Sequence, residues 1–532
     1  MSESARTSLH SNAATLADLV ADVAQAAPDK TAILFQDMRI SYGTLHTLIE
    51  SAADALAARG VGKGDRVVVM LPNIPHFVIA YYAVMRLGAV VVPVNVLYKA
   101  GEIAYILRDS GASTAIVFES LYEQFAEALD DVNKHGLKNA IVVAANEAPA
   151  GTIPWSLATS TIEGGAPTRT PVEVVPDDVA VICYTSGTTG KAKGAMLSHH
   201  NFLANAAQVA RVEGLRVEPT DTVLLVLPLF HIFAMNVGMN MTLRVGGTID
   251  LMVRFEPVAV LEEIQRHKAS VFLGAPPMFV SFVNLPDLTS YDVSSLRVIN
   301  SGAAALPVAV LERFKTLTGK EIVEGYGLTE TSPVSHSNAA GASIKPGTIG
   351  LPIPGVEARI VDVKDQDAPD GQEGEIVLRG ENLMIGYWNK PRETAEAMRN
   401  GWFHTGDIAV KDADGYYTIV DRKKDMINAG GFKIWPREVE EVLYHHPAVA
   451  EAAIIPSFDP YAGERPIAYI VLKDGVAATQ EELIAFVKAR LASYKAPTYV
   501  EFRTELPKNL TGKIMRRLLR EEVKHPIPVG DL

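Results

Sequence analysis

Residues 184–194 read YTSGTTGKAKG. Glycine lets main-chain amides approach an anion closely, and the hydroxyls of Thr185, Ser186, Thr188 and Thr189 can donate to its oxygens. With Gly187, Gly190 and Lys191 they suit a phosphate-binding loop. The loop is not of the Walker A type. That pattern needs glycine five positions before the Gly-Lys pair and Ser or Thr after the lysine. The pair here is Gly190–Lys191, Thr185 stands five positions earlier, and Ala192 follows. P-loop kinase or NTPase chemistry is therefore not expected. An apolar run, VAVICY, precedes the loop and a helix-patterned run, NFLANAAQVA, follows soon after, which predicts a strand, the loop and a helix in that order.

Further stretches dense in chemistry-bearing residues follow in order: PLFH (228–231), NSGAAALP (300–307), GYGLTET (325–331), WFHTGD (402–407), DRKKDMINAGGFKIWPREVE (421–440) and LPKNLTGKIMRR (506–517). Together with YTSGTTGKAKG these resemble the signature motifs of the adenylate-forming superfamily of acyl-CoA synthetases, stand-alone adenylation domains and luciferases, and most of all a bacterial fatty acyl-CoA ligase. The resemblance spans most of the chain from residue 184 onward. In this superfamily a carboxylate attacks the α-phosphate of ATP, giving an acyl-adenylate and pyrophosphate. A thiol, usually that of CoA, then displaces AMP.

The resemblance implies a role for each matching residue. The loop from Thr185 to Lys191 and Thr329 would hold ATP, with Thr185 and Glu330 as oxygen ligands to Mg²⁺, a hard cation. Lys513 would reach the carboxylate and α-phosphate oxygens as a compact charge. His231 would lie between nucleotide and acyl site. Asp407, backed by Arg422, would accept bonds from the ribose hydroxyls. Gly325 and Tyr326 would border the adenine, the Tyr326 ring stacking on it. The small domain would turn about Lys424 after adenylation, withdrawing Lys513 and bringing Gly431 to the CoA channel, where glycine leaves room for pantetheine. Asp421 departs from the pattern, since many members carry glycine before the arginine of that hinge. Gly302 and Ala303 would touch nucleotide and acyl group, in a pocket with Met235, Asn236, Val237, Ala304 and Gly327.

These residues need a scaffold. GTLHTLIESAADALAARG (43–60) has helical spacing, DRVVVML (65–71) is a β-branched run, PHFVIAYYAVMRLG is a second helix, and strands AVVVPV, TAIVF and NAIVVA follow. Such alternation predicts an α/β fold with largely parallel sheets. The expected organisation is a large N-terminal body of layered α/β sheets over 1–421 and a smaller mobile α+β domain over 422–532. In the latter, AVAEAAIIPSFD and RPIAYIVLKDG read as strands, and Thr479 with Glu482 as a capping box. Residues 145–178 read as a long surface connection and 361–374 as an acidic turn between strands.

Composition narrows the function. The chain has 532 residues, 48% hydrophobic, with a net charge of −13, which argues against nucleic acid as a partner. The lone cysteine, Cys183, reads as a buried strand residue and suits a reducing, cytoplasmic setting. The N-terminus lacks the pattern of a secretory signal. The uncharged stretch 222–243 is broken by Pro228, His231, Asn236 and Asn240, so it reads as buried strand, turn and helix rather than an integral membrane span. Oligomeric state is not legible; a homodimer is carried as an expectation. ATP, Mg²⁺, CoA and a small carboxylic acid are the expected ligands. The resemblance also disfavours an amino-acid substrate, because amino-acid adenylation domains carry an ammonium-binding aspartate at the place that His231 matches here. A medium- or long-chain fatty acid is preferred. A 4-coumarate-type aryl acid, or loading of a carrier protein, stands as the alternative.

Overall fold

The computed structural model describes residues 11–132, 136–144, 148–156, 169–185, 192–341, 343–422, 425–429, 432–459, 463–509 and 512–522. Two large mixed sheets form the body, as the alternating βα pattern predicts. One has nine strands and contains Val298–Ser301 and Val323–Gly327 side by side. The other has eight and contains Val179–Thr185 and Lys193–Ser198. Both are parallel at the centre, where apolar strands are covered on both faces, and antiparallel at an edge. The antiparallel edges have a use: Val179–Thr185 turns back as Lys193–Ser198, with Thr185 opposite Lys193, so both ends of the glycine-rich segment leave from one place. A core of buried apolar side chains runs between these sheets.

Stretch 222–243 folds as strand Thr222–Leu225, π-helix Phe233–Asn240 and helix Met241–Arg244. Among the described residues no helix is long and apolar enough to cross a membrane. Cys183 is buried in its strand, and burial pushes its thiol up to about 12. A four-stranded antiparallel sheet follows, containing Phe403–Lys411 and Tyr417–Arg422, and Asp407 faces Arg422 across it.

Beyond it, a five-stranded sheet has its own core on each face. Ala452, Ile454, Ala468 and Ile470 point one way and Ala453, Ile455, Ile467 and Tyr469 the other, the period of two that a twice-covered strand pair requires. The helix Gln480–Lys488 starts at the capping box: Thr479 accepts from Glu482 N at 3.2 Å, and Glu482 accepts from Thr479 N at 3.4 Å.

Candidate active site

The nine-stranded sheet, the four-stranded sheet and the C-terminal residues converge on one cleft. Tyr326 ends the strand Val323–Gly327, and its hydroxyl donates to Asp407 Oδ2 at 2.7 Å. Arg422 Nε lies 3.0 Å from Asp407 Oδ1. That ion pair lacks the geometry of a hydrogen bond, so the buried Oδ1 keeps an unused acceptor. An orphaned carboxylate oxygen at a cleft is suited to a sugar hydroxyl. Asp407 is 3% exposed, and the neighbouring Arg422 charge and the Tyr326 hydroxyl make its carboxylate tolerable there.

Lys513 joins this pair from a distant part of the chain. A tight turn holds it, with Lys513 N donating to Asn509 Oδ1 at 2.8 Å and Asn509 N to Lys513 O at 3.0 Å. The Arg422 guanidinium, then burial, lower its ammonium to about 8, with Asp407 acting in the opposite sense. The Lys513 side chain is exposed to solvent at the cleft, with the Arg422 and Asp407 charges acting on it. Gly512 makes the approach possible. Its φ is +75°, and a Cβ there would come within 2.3 Å of Pro277 Cγ on the N-terminal body.

His231 faces Lys513 from the other wall. Burial, then the Lys513 charge, lower it to about 4, so the ring is neutral at pH 7. Nδ1 accepts from Phe233 N at 3.3 Å, which leaves the proton on Nε2 as a donor toward the cleft. The π-helix that follows is buried throughout, and π-turns are frequent at functional sites. Its widened turn is held by polar side chains: Asn236 donates to Ser332 O at 2.6 Å, and Tyr82 donates to Asn240 at 2.7 Å. Asn236 and Met235 are fully buried, so Asn236 holds the wall in place instead of lining it. Ala303 is exposed at the cleft with φ +69°, a left-handed conformation in which alanine is strained and which favours functional positions. The Phe233 ring covers neighbouring Gly302, 3.0 Å from where a Cβ would stand.

Glu330 lies in the short turn Thr329–Thr331 and is 8% exposed. Tyr387 Oη donates to its Oε1 at 2.8 Å. Among the described residues no cation pairs with it. A buried carboxylate with one side-chain hydrogen bond and, among the described residues, no direct ion pair fits a hard divalent cation. Thr185 stands half-buried at the entry to the glycine-rich segment, Thr329 half-buried beside Glu330. A Cβ at Gly325 would make ordinary contact with Asn300 at 3.5 Å and His336 O at 3.6 Å, whereas Gly327 is glycine for packing: a Cβ would overlap Pro333 O at 1.7 Å. Ser186, Gly187, Thr188, Thr189, Gly190, Lys191, Lys424 and Gly431 lie outside the described residues.

Sequence reasoning missed three supports. Tyr387 is one, since a lone tyrosine carries no spacing signal. The second is the ion network beneath Lys513. Arg516 makes two bonds to Glu440, at 3.2 and 2.6 Å, and Arg520 bonds Asp425 at 3.0 Å. Asp421, the unusual residue of the hinge motif, accepts from Arg437 N at 2.9 Å and lies 4.0 Å from Arg516. The third is Glu324, a carboxylate that burial pushes up to about 7 and that accepts from Leu306 N at 3.1 Å.

The geometry brings a lysine to a buried carboxylate with an unused acceptor, and comparison with known proteins gives the family. The AMP-binding enzyme model matches residues 20–388, and the AMP-binding enzyme C-terminal domain model matches 438–513. The chain belongs to the AMP-binding enzyme family. It is 40% identical to a long-chain-fatty-acid–CoA ligase of Bacillus subtilis (strain 168), over 96% of this chain and 94% of that protein. It is 36% identical to a feruloyl-CoA synthase of Amycolatopsis sp, over 93% and 96%. Among solved structures, an anthranilate CoA ligase in complex with anthranoyl-AMP superposes with a TM-score of 0.86 at 29% identity, covering 97% of this chain and 98% of that one. The protein is an AMP-forming acid–thiol ligase that uses ATP and CoA.

Proposed function

We propose that the protein activates a medium- or long-chain fatty acid as acyl-AMP, releasing pyrophosphate, and then passes the acyl group to CoA, releasing AMP. The observation that carries this is the meeting of Lys513 with Arg422, Asp407 and His231 in one cleft. A cation there faces the charge that builds up as a carboxylate attacks a phosphate. Asp407 Oδ1 takes the ribose, Tyr326 and Gly325 border the base, and the neutral His231 donates between phosphate and acid. Thr185 and Glu330 hold Mg²⁺, which supplies charge neutralisation on the phosphates when bound. The loop residues Ser186 to Lys191 cradle the phosphates. Lys424 is the hinge and Gly431 enters the CoA channel after rotation, with the domain border at 421/422.

Two observations support the fatty acid: the apolar character of Phe233 and Val237 on the π-helix after His231, and the extent of the match to the Bacillus subtilis ligase. An aryl acid is the second reading. The Phe233 ring stands at the Gly302 wall, where it can meet a flat ring, and a feruloyl-CoA synthase is nearly as similar. Separate incubations with octanoate, palmitate, 4-coumarate and benzoate, scored for thioester by mass spectrometry, decide between them. The proposal expects the highest kcat/KM with an alkyl acid; a preference for 4-coumarate or benzoate overturns it.

A further inference from the structure

The helix Ala100–Ser110 approaches the glycine-rich segment, although nothing in its sequence suggests a part in the chemistry. The segment leaves the sheet at Tyr184 and Thr185 and rejoins it at Ala192 and Lys193. Each end is held by a side chain of this one helix. Tyr184 Oη donates to Asp109 Oδ2 at 2.7 Å, and Tyr105 Oη donates to Ala192 O at 2.8 Å. The two tyrosine rings meet edge to face at 6.3 Å.

We propose that Asp109 and Tyr105 are positioning residues that fix both ends of the 184–194 segment, and with them Thr185, for the phosphates of ATP. This rests on the reading of that segment as the phosphate loop.

Several features make the clamp rigid. The helix end is pinned, since Arg66 donates to Ser110 O and Gly111 O, both at 2.8 Å. Trp388 bridges the same parts: its Nε1 donates to Asp109 O at 2.9 Å, and its N donates to Gly194 O at 2.7 Å. Gly194 lets the Tyr184 ring cross the neighbouring strand; a Cβ there would lie 2.6 Å from Ile182 Cγ2 and 3.2 Å from the Tyr184 ring. Lys193 lies 5.0 Å from the centre of the Tyr387 ring, and the Tyr387 hydroxyl holds Glu330. The clamp therefore continues through Lys193 and Tyr387 to the other proposed metal ligand. Asp109 Oδ1 also lies 3.5 Å from Tyr105 Oη one turn earlier and 3.7 Å from Lys390 Nζ, while its charge in the last turn opposes the helix dipole. Fixing the two ends of a ligand-binding segment in advance lowers the ordering cost that binding must meet.

The test uses the full-length enzyme with Tyr105→Phe, Tyr184→Phe, Asp109→Asn, Asp109→Ala and, as reference, Thr185→Ala. The readouts are KM for ATP and for the acid in acid-dependent pyrophosphate exchange, transfer from supplied acyl-AMP to CoA, and Tm. Loss of one positioning hydrogen bond should raise KM for ATP by roughly three- to tenfold. KM for the acid and transfer from acyl-AMP should not move. Asp109→Asn, whose amide oxygen still accepts from Tyr184, should recover most of what Asp109→Ala loses. If the three activities and Tm fall together, the clamp only stabilises the fold and the proposal is overturned. If Thr185→Ala raises KM for ATP while the tyrosine variants do not, the positioning role is wrong and the phosphate loop stands. If Thr185→Ala is also silent, the reading of the loop itself fails. The two Tyr→Phe variants remove single oxygens, so they decide the matter even where Asp109→Ala does not fold.

Discussion

Asp407→Asn should change the pH dependence of adenylation in a direction set by the cleft. Lys513 must be protonated to neutralise developing charge. Its proton is held to about 8 by two opposed neighbours, Arg422 pushing it down and Asp407 holding it up. The charge is present below that pH and is lost as pH rises through it. In the wild type, kcat/KM for ATP should therefore decline above about pH 8. The substitution removes the carboxylate charge while keeping an oxygen for Tyr326. It leaves Arg422 unbalanced beside Lys513. A lost unit charge at close range shifts a neighbour by roughly one pH unit, so the descending limb should move to about pH 7. The assay is acid-dependent pyrophosphate exchange without CoA, followed from about pH 6 to about pH 9.5, because kcat/KM reports groups of the free enzyme. Lys513→Arg is the companion, since its cation does not titrate in that range and its limb should vanish. Coincident limbs in wild type and Asp407→Asn, or a limb that survives Lys513→Arg, would refute the coupling.

Other outcomes follow from the same geometry. Lys513→Ala should slow adenylate formation on the order of a hundred- to thousandfold yet spare transfer from supplied acyl-AMP to CoA; equal loss of both halves, measured separately, would remove Lys513 from its role. Glu330→Gln should raise the Mg²⁺ concentration giving half-maximal exchange by roughly tenfold or more, and an unchanged titration would take Glu330 out of the metal site. Gly512→Ala meets both a positive φ and Pro277, so adenylation should fall about tenfold while the acyl-AMP half-reaction holds; full pyrophosphate exchange in this variant would contradict the close approach.

The chain carried two kinds of information of unequal clarity. Apolar runs such as RVVVM and PHFVIAYYAVMR fix strand and helix through local periodicity, and both fold that way. The antiparallel strand edges escaped notice because pairing direction depends on contacts far apart in sequence. Asp407, Glu330 and Lys513 stood out through the motifs around them. Tyr387, Tyr105 and Asp109 did not: their oxygens serve partners 57, 87 and 75 residues away, a relation no local pattern records. Asn236 shows the converse. The resemblance implied a place in the pocket wall, but its amide is spent on Ser332 O and Phe202 O, because a buried amide must find partners.

The central claim is that a carboxylate attacks the α-phosphorus of ATP and that a thiol then releases AMP. Its most direct test uses a fatty acid labelled with heavy oxygen in the carboxylate, incubated with the enzyme, ATP, Mg²⁺ and CoA. The P–O bond formed in the first step keeps the acid's oxygen, and thiolysis breaks the acyl C–O bond. AMP should therefore carry one heavy oxygen from the acid, with one equivalent each of pyrophosphate and thioester. ADP as product, or AMP free of the label, would contradict the account.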